Sequence, residues 1–195
     1  MVTVEIHISL GSDIKAMWLC FLSADERCAI FRNMQLFSAN GAYKAIIFDL
    51  DGTILDTLQD LANSLNHALR THGYPERSLD EVRRFIGNGI KMLVRRGCPA
   101  DTSEQAQEEA LATFRVHYDL HCKDFTGPYE GINELLEALL SKGVRTAVVS
   151  NKIEPAVIVL CDEHFSDAFE YRVDNRPDLA PKPAPDSVNE VIEKM

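Results

Sequence analysis

Lys44-Ala45-Ile46-Ile47-Phe48-Asp49-Leu50-Asp51-Gly52-Thr53-Ile54-Leu55-Asp56-Thr57 is the stretch on which the fold of this 195-residue chain turns. Ala45 to Phe48 is a short continuous apolar run, the mark of a parallel strand covered on both faces. It ends in two aspartates separated by one residue, followed by a glycine. In open α/β sheets, ligands bind beyond the carboxyl ends of the strands, so this acidic turn stands where a site is expected. Two aspartates at this spacing meet the same centre only if the chain bends sharply, and Gly52 permits the bend. A plain strand-ending turn uses the same residue types. The surrounding sequence decides between the two.

Downstream, Leu58, Leu61, Leu65 and Leu69 recur at helical spacing. Ser78 with Glu81 three residues on predicts a capping box and a second helix. Gly87-Asn88-Gly89 interrupts that helical stretch, and a further helix is expected over 103–121. Gly127-Pro128 marks a turn, after which Ile132, Leu135, Leu136, Leu139 and Leu140 form one apolar helix face. Gly143 ends that helix, and Val144 to Val149 is the next buried strand. Pro155 suits the first turn of another helix. Phe169 to Val173 reads as a third strand, and Val188, Val191, Ile192 and Met195 as the face of a last helix.

Strands alternating with helices predict an α/β fold, a Rossmann-like parallel sheet wrapped on both sides. Residues 44–57 and 128–195 would form this core, and the helical block 58–127 an inserted cap. Residues 1–43 form an N-terminal extension to which no chemistry is assigned. In it Val2, Val4, Ile6 and Ile8 alternate with polar residues at strand period, Gly11-Ser12-Asp13 breaks the pattern, and a short apolar piece follows at Trp18 to Leu22.

The net charge of −10 argues against a nucleic-acid binder, because phosphate backbones are met by clustered Lys and Arg. It leaves room for a small phosphorylated metabolite, since a few cations or one metal invert the field locally. Cys20, Cys28, Cys98, Cys122 and Cys161 contain no C-x-x-C pair and read as free thiols in a reducing compartment. Ala16 to Leu22, at seven residues the longest apolar run considered for a membrane segment, is too short to span a bilayer and follows no basic run. A cytoplasmic protein with no membrane partner is expected.

The acidic turn has a chemical use. One carboxylate can attack a phosphoryl group while the other gives a proton to the leaving oxygen and later takes one from water. A hard cation would bridge carboxylate and phosphate. Ser150-Asn151-Lys152 follows the second strand, where a hydroxyl and backbone N–H groups can hold a phosphoryl oxygen, although such a sequence is also an ordinary turn. Lys182, flanked by Pro181 and Pro183, is a pre-positioned point charge or else a solvated loop lysine. Asp186 is expected to cap the helix that follows. Gly87 and Gly89 read equally well as a simple helix break. His117 and His121, four apart, share a helix face; that spacing can bind zinc, but without a clear third ligand a plain histidine pair is favoured.

The run Asp49 to Thr57, D-L-D-G-T-I-L-D-T, resembles the first motif of the haloacid dehalogenase superfamily. The resemblance implies a Mg²⁺-dependent phosphomonoester hydrolase in which Asp49 is the nucleophile and Asp51 the general acid/base. Asp49 would ligate the metal through its side chain and Asp51 through its backbone carbonyl. By the same resemblance Thr53, Ser150 and Asn151 bind phosphate and Lys182 is catalytic. Phe85 to Ile90 and Val149 to Lys152 are similar to the phosphoglycolate phosphatase branch, in which the loop with Gly87 and Asn88 faces the substrate.

The family's fourth motif, an acidic loop after a further strand, is not matched in the 13 residues after Lys182. The expectation is a truncated, incomplete core whose open sheet edge invites self-association. The alternating strand Val2 to Ile8 is the candidate to pair with that edge. An inactive fragment that binds only phosphate or a partner, and a phosphotransferase using the same Asp49 chemistry, are the competing readings.

Overall fold

A computed structural model of the chain describes residues 6–10, 14–19, 45–152, 154–174, 176, 178–182 and 184–195. The chain divides into two units, Met1–Leu55 with Pro128–Met195 and, between them in sequence, Asp56–Gly127.

The first unit is built on strands β1 (Ile6–Leu10), β2 (Ile14–Leu19) and β3 (Ala45–Phe48), then β6 (Arg145–Val149) and β7 (Tyr171–Val173). They form one sheet in the order β1-β2-β3-β6-β7. β2–β3, β3–β6 and β6–β7 are parallel, and only the β1–β2 hairpin is antiparallel. The apolar run in β3 is buried at every position because both of its faces are covered. Ile46, Phe48 and Val148 join the core formed with helix α5 (Ile132–Ser141) and helix α6 (Glu154–Phe165). Ile47, Ala147 and Val149 pack instead with Val188 and Val191 of helix α7 (Asp186–Lys194). Alternate residues of one strand thus feed different layers, as the period of two requires. The fold is α/β with a parallel sheet between helices.

Three details differ from the sequence reading. The strand along β3 is β2, register Met17↔Ile46, and the alternating segment supplies the outer strand β1, register Ile6↔Trp18. The second arm, not the first, lies along β3; residues 2–5 lie outside the described residues. The third strand is shorter than expected. Phe169 is buried with its ring edge-on to those of Phe48 and Phe165, so core packing takes it before strand pairing begins. Finally, Pro185 occupies the cap position of α7 and Asp186 its first turn. There the carboxylate meets the positive end of the helix dipole without capping it.

In the second unit the chain forms α1 (Leu58–Thr71), α2 (Leu79–Phe85), α3 (Gly89–Gly97) and α4 (Glu104–His121). Both bonds of the Ser78–Glu81 capping box are present, which sets the start of α2. Gly87 and Gly89 take φ of 117° and 78°, and this left-handed backbone separates α2 from α3. α1 and α4 pack together, burying Leu61, Leu65 and Leu69 of one and Leu111, Phe114 and Tyr118 of the other. Asp60 is buried at the start of α1, where its carboxylate accepts from the backbone N–H groups of Phe125 and Thr126 and from the Thr126 hydroxyl. Those bonds offset its desolvation. The chain crosses between the units in two-residue strands, β4 (Leu55–Asp56) and β5 (Gly127–Pro128), which pair with each other. Among the described residues no helix is long and apolar enough to cross a membrane.

The hairpin covers a backbone edge that would otherwise pair with another chain. Deletion of residues 1–43 is therefore expected to lower the melting temperature and produce concentration-dependent association in sedimentation velocity. An unchanged melting curve with a monomeric truncated chain would contradict the assigned edge.

Candidate active site

Phe48 and Val148 are partners in the β3–β6 register, so Asp49 and Ser150 leave the sheet at the same carboxyl end. Immediately after β3 the chain folds into a tight turn. The Leu50 carbonyl accepts from the N–H groups of Thr53, Ile54 and Leu55 at 3.3, 3.2 and 3.1 Å, and Gly52 N–H donates to the Leu55 carbonyl at 2.9 Å. Gly52 has φ of 75°, which a side chain at this position would strain. The turn brings both aspartates to one end of the sheet, as their spacing requires. Thr53 is fully buried inside it.

Each aspartate is held by a lysine. Lys182 Nζ donates to Asp49 Oδ1 at 2.5 Å and to the Val149 carbonyl at 2.8 Å. Lys152 Nζ donates to Asp51 Oδ1 at 2.8 Å. The side chains of Lys182 and Asp49 are 9% and 7% exposed, those of Lys152 and Asp51 2% and 20%. These pairs are therefore little screened by solvent. Burial pushes the Asp49 carboxyl above its ordinary value, while the Lys182 ammonium beside it and the Leu50 N–H, at 2.9 Å, pull it back. The Lys182 ammonium thus fixes the Asp49 side chain in place.

The loops behind these lysines are anchored in turn. Ser150 N–H donates to the Val173 carbonyl at 2.9 Å, and Lys152 N–H donates to Ser150 Oγ at 3.2 Å. Asn151 donates through Nδ2 to the Lys182 carbonyl at 3.0 Å and accepts from Lys182 N–H at 2.8 Å. The structure thus gives Asn151 a clamping task that its reading as a phosphate ligand did not include. Lys152, which belongs to the same motif and to which the sequence reading assigns no role, is bonded to Asp51. The signal available in sequence was a lysine three residues past a buried strand, where a charge stays only if it is paired.

The residues brought together are therefore Asp49, Asp51, Thr53, Ser150, Asn151 and Lys182, with Lys152 added. Gly87 and Asn88 belong to the helical unit, where Asn88 Oδ1 accepts from the Arg96 guanidinium at 2.8 Å. His117 and His121 stack at 4.3 Å between ring centroids, and His67 stacks with His117 at 4.2 Å. Their polar partners are Ser64 on His117 and Asp124 on His121. Among the described residues no group of three or more His, Cys, Asp or Glu side chains is arranged to hold a metal. Asp49 and Asp51 offer hard oxygen donors. Mg²⁺ is commonly held by one or two carboxylates, with waters and substrate phosphates completing the octahedron, so this donor set fits it.

Removing one member of a buried ion pair leaves an uncompensated charge. Lys182→Met is expected to cost about 3–5 kcal/mol in denaturant unfolding, and adding Asp49→Asn to restore most of it. A single variant as stable as the parent protein would show that the pair is not formed.

Residues 46–195 match the family model described as haloacid dehalogenase-like hydrolase. A phosphoglycolate phosphatase of Pseudomonas syringae pv. tomato is 36% identical over 159 residues, 77% of this chain and 57% of that protein. One from Aquifex aeolicus is 35% identical over 151 residues, 77% of this chain and 69% of that protein. A solved Lactobacillus delbrueckii subsp. bulgaricus structure, proposed as a phosphoglycolate phosphatase, superposes with a TM-score of 0.74 at 34% identity, covering 78% of this chain and 73% of the other. The chain thus spans little more than half the length of its Pseudomonas syringae relative. With the motif residues gathered at one end of a parallel sheet, these matches place the chain in the haloacid dehalogenase-like hydrolase family.

Proposed function

We propose that this chain carries the phosphate-handling core of a phosphomonoester hydrolase, with phosphoglycolate or a close relative as substrate. The observation that carries the reading is the Asp49 carboxylate at the end of β3, held by Lys182 at 2.5 Å with Asp51 two residues away. Relatives bearing the phosphoglycolate phosphatase name at 35–36% identity support the choice of substrate.

In the proposed reaction an Asp49 carboxylate oxygen attacks phosphorus and the bond from phosphorus to the ester oxygen breaks. Asp51 gives its proton to the departing alkoxide, leaving an aspartyl-phosphate. Water then attacks that phosphorus and loses a proton to Asp51, releasing inorganic phosphate and restoring both carboxyl groups. Lys182 offsets the charge that would otherwise keep nucleophile and phosphate apart. The Ser150 and Thr53 hydroxyls are the side-chain donors assigned to the phosphoryl oxygens. Asp49, through its side chain, and Asp51, through its carbonyl, are the residues assigned to Mg²⁺. When bound, Mg²⁺ supplies charge neutralisation at the phosphoryl oxygens. The helical unit is assigned the cap role, with Gly87 and Asn88 meeting the substrate. A reducing, cytoplasmic setting belongs to the same proposal and accords with the buried thiols Cys98, Cys122 and Cys161.

Phosphate release from phosphoglycolate should require Mg²⁺, stop on chelation, and fall by at least about 10³-fold in Asp49→Asn, because the nucleophile is lost. Folded protein that binds phosphate but releases none would favour the binding-only reading, and phosphate passed to a second metabolite the phosphotransferase reading.

A further inference from the structure

Lys152 is the most deeply buried charge at this end of the sheet and has no part in the reaction as proposed above. Its side chain is 2% exposed, its N–H is bonded to Ser150 Oγ, and its ammonium reaches Asp51, 101 residues earlier, at 2.8 Å. A long, flexible lysine side chain has much rotamer freedom to lose, and burial costs the ammonium its hydration. Lys152 bears both costs to reach a carboxylate that is itself one-fifth exposed and could be solvated without help. A lysine serving only to balance the local charge has no need to be fixed on one oxygen.

We propose that Lys152 is a positioning residue for Asp51. It donates to Oδ1, so that the carboxyl group cannot turn about its side-chain bonds and Oδ2, carrying the proton, is the oxygen that gives it to the leaving group. This rests on the hydrolase reading and adds a division of labour to it. Lys182 serves the attacking carboxylate and Lys152 serves the proton donor. A lysine placed for phosphate binding would help every phosphate ester alike. A lysine that aims the proton donor matters only where the departing oxygen needs a proton.

The test compares the parent chain, Lys152→Met and Lys152→Arg on two monoesters, p-nitrophenyl phosphate, whose leaving group departs readily as an anion, and an alkyl phosphate, whose leaving group does not. Lys152→Met should lower kcat for the alkyl ester on the order of 100-fold and for the aryl ester by less than about threefold, with KM little changed for either. Lys152→Arg should recover part of the alkyl activity. Equal losses on both esters, or a loss confined to KM, would overturn the assignment in favour of phosphate binding or a purely structural role. If the parent chain hydrolyses neither ester, the hydrolase reading itself has failed, and the anchoring is read from melting curves. Lys152→Met should then lower the melting temperature by roughly 5 °C or more, with Asp51→Asn added to it restoring most of the loss. Additive losses in the double variant would overturn the anchoring as well.

Discussion

Two buried lysine–aspartate pairs organise the catalytic end of this molecule. Carboxylates two residues apart repel each other, and desolvation at the end of a covered strand makes Asp49 costlier to ionise. Two lysines meet the aspartates from separate directions, Lys182 from the loop preceding α7 and Lys152 from the turn after β6. Neither lysine could be placed without the parallel register of β3 and β6, which sets the two strand ends side by side. The register depends in turn on two apolar layers that cover the sheet on opposite faces. Packing, sheet order and electrostatics are thus one constraint seen at three scales.

The same constraint accounts for the clamps. Buried ion pairs give little net stability unless the geometry is good and the remaining hydrogen bonds are satisfied. Asn151 meets that need for Lys182 by bonding both the N–H and the carbonyl of its backbone. For Asp49 the Leu50 N–H meets it by donating to Oδ1, and the turn is fixed by three N–H groups converging on the Leu50 carbonyl and a glycine at φ of 75°. A rigid frame of this kind suits chemistry that depends on aiming one carboxylate at phosphorus and the other at an oxygen.

What the sequence made legible was local. The apolar run of β3, the D-L-D-G-T turn, the Ser78–Glu81 capping box and the helical spacing from Leu58 to Leu69 each carry their signal within a few residues, and each forms where expected. The positions of Asp49 and Ser150 at one end of the sheet were also legible, because each directly follows a strand, whereas Lys182, nine residues past β7, was legible through the family resemblance. Contacts across long separations were not. Nothing in the spacing of Lys152 points to Asp51, and the Asn151 clamp on Lys182 spans 31 residues. Period-two alternation marked Ile6 and Ile8 as strand residues but could not tell which arm of the hairpin lies against β3. Histidine spacing on α4 gave the His117–His121 stack, whereas His67 joins it from α1 through helix packing alone.

The central claim is that this arrangement makes Asp49 a nucleophile toward phosphorus. Acid-quenched intact-mass analysis after brief mixing with a reactive phosphomonoester and Mg²⁺ tests it most directly. The account predicts a single phosphoryl adduct, mapped by peptide sequencing to Asp49 and released by hydroxylamine as an acyl phosphate must be. Phosphate release with no adduct at any quench time, or an adduct on another residue, would contradict it.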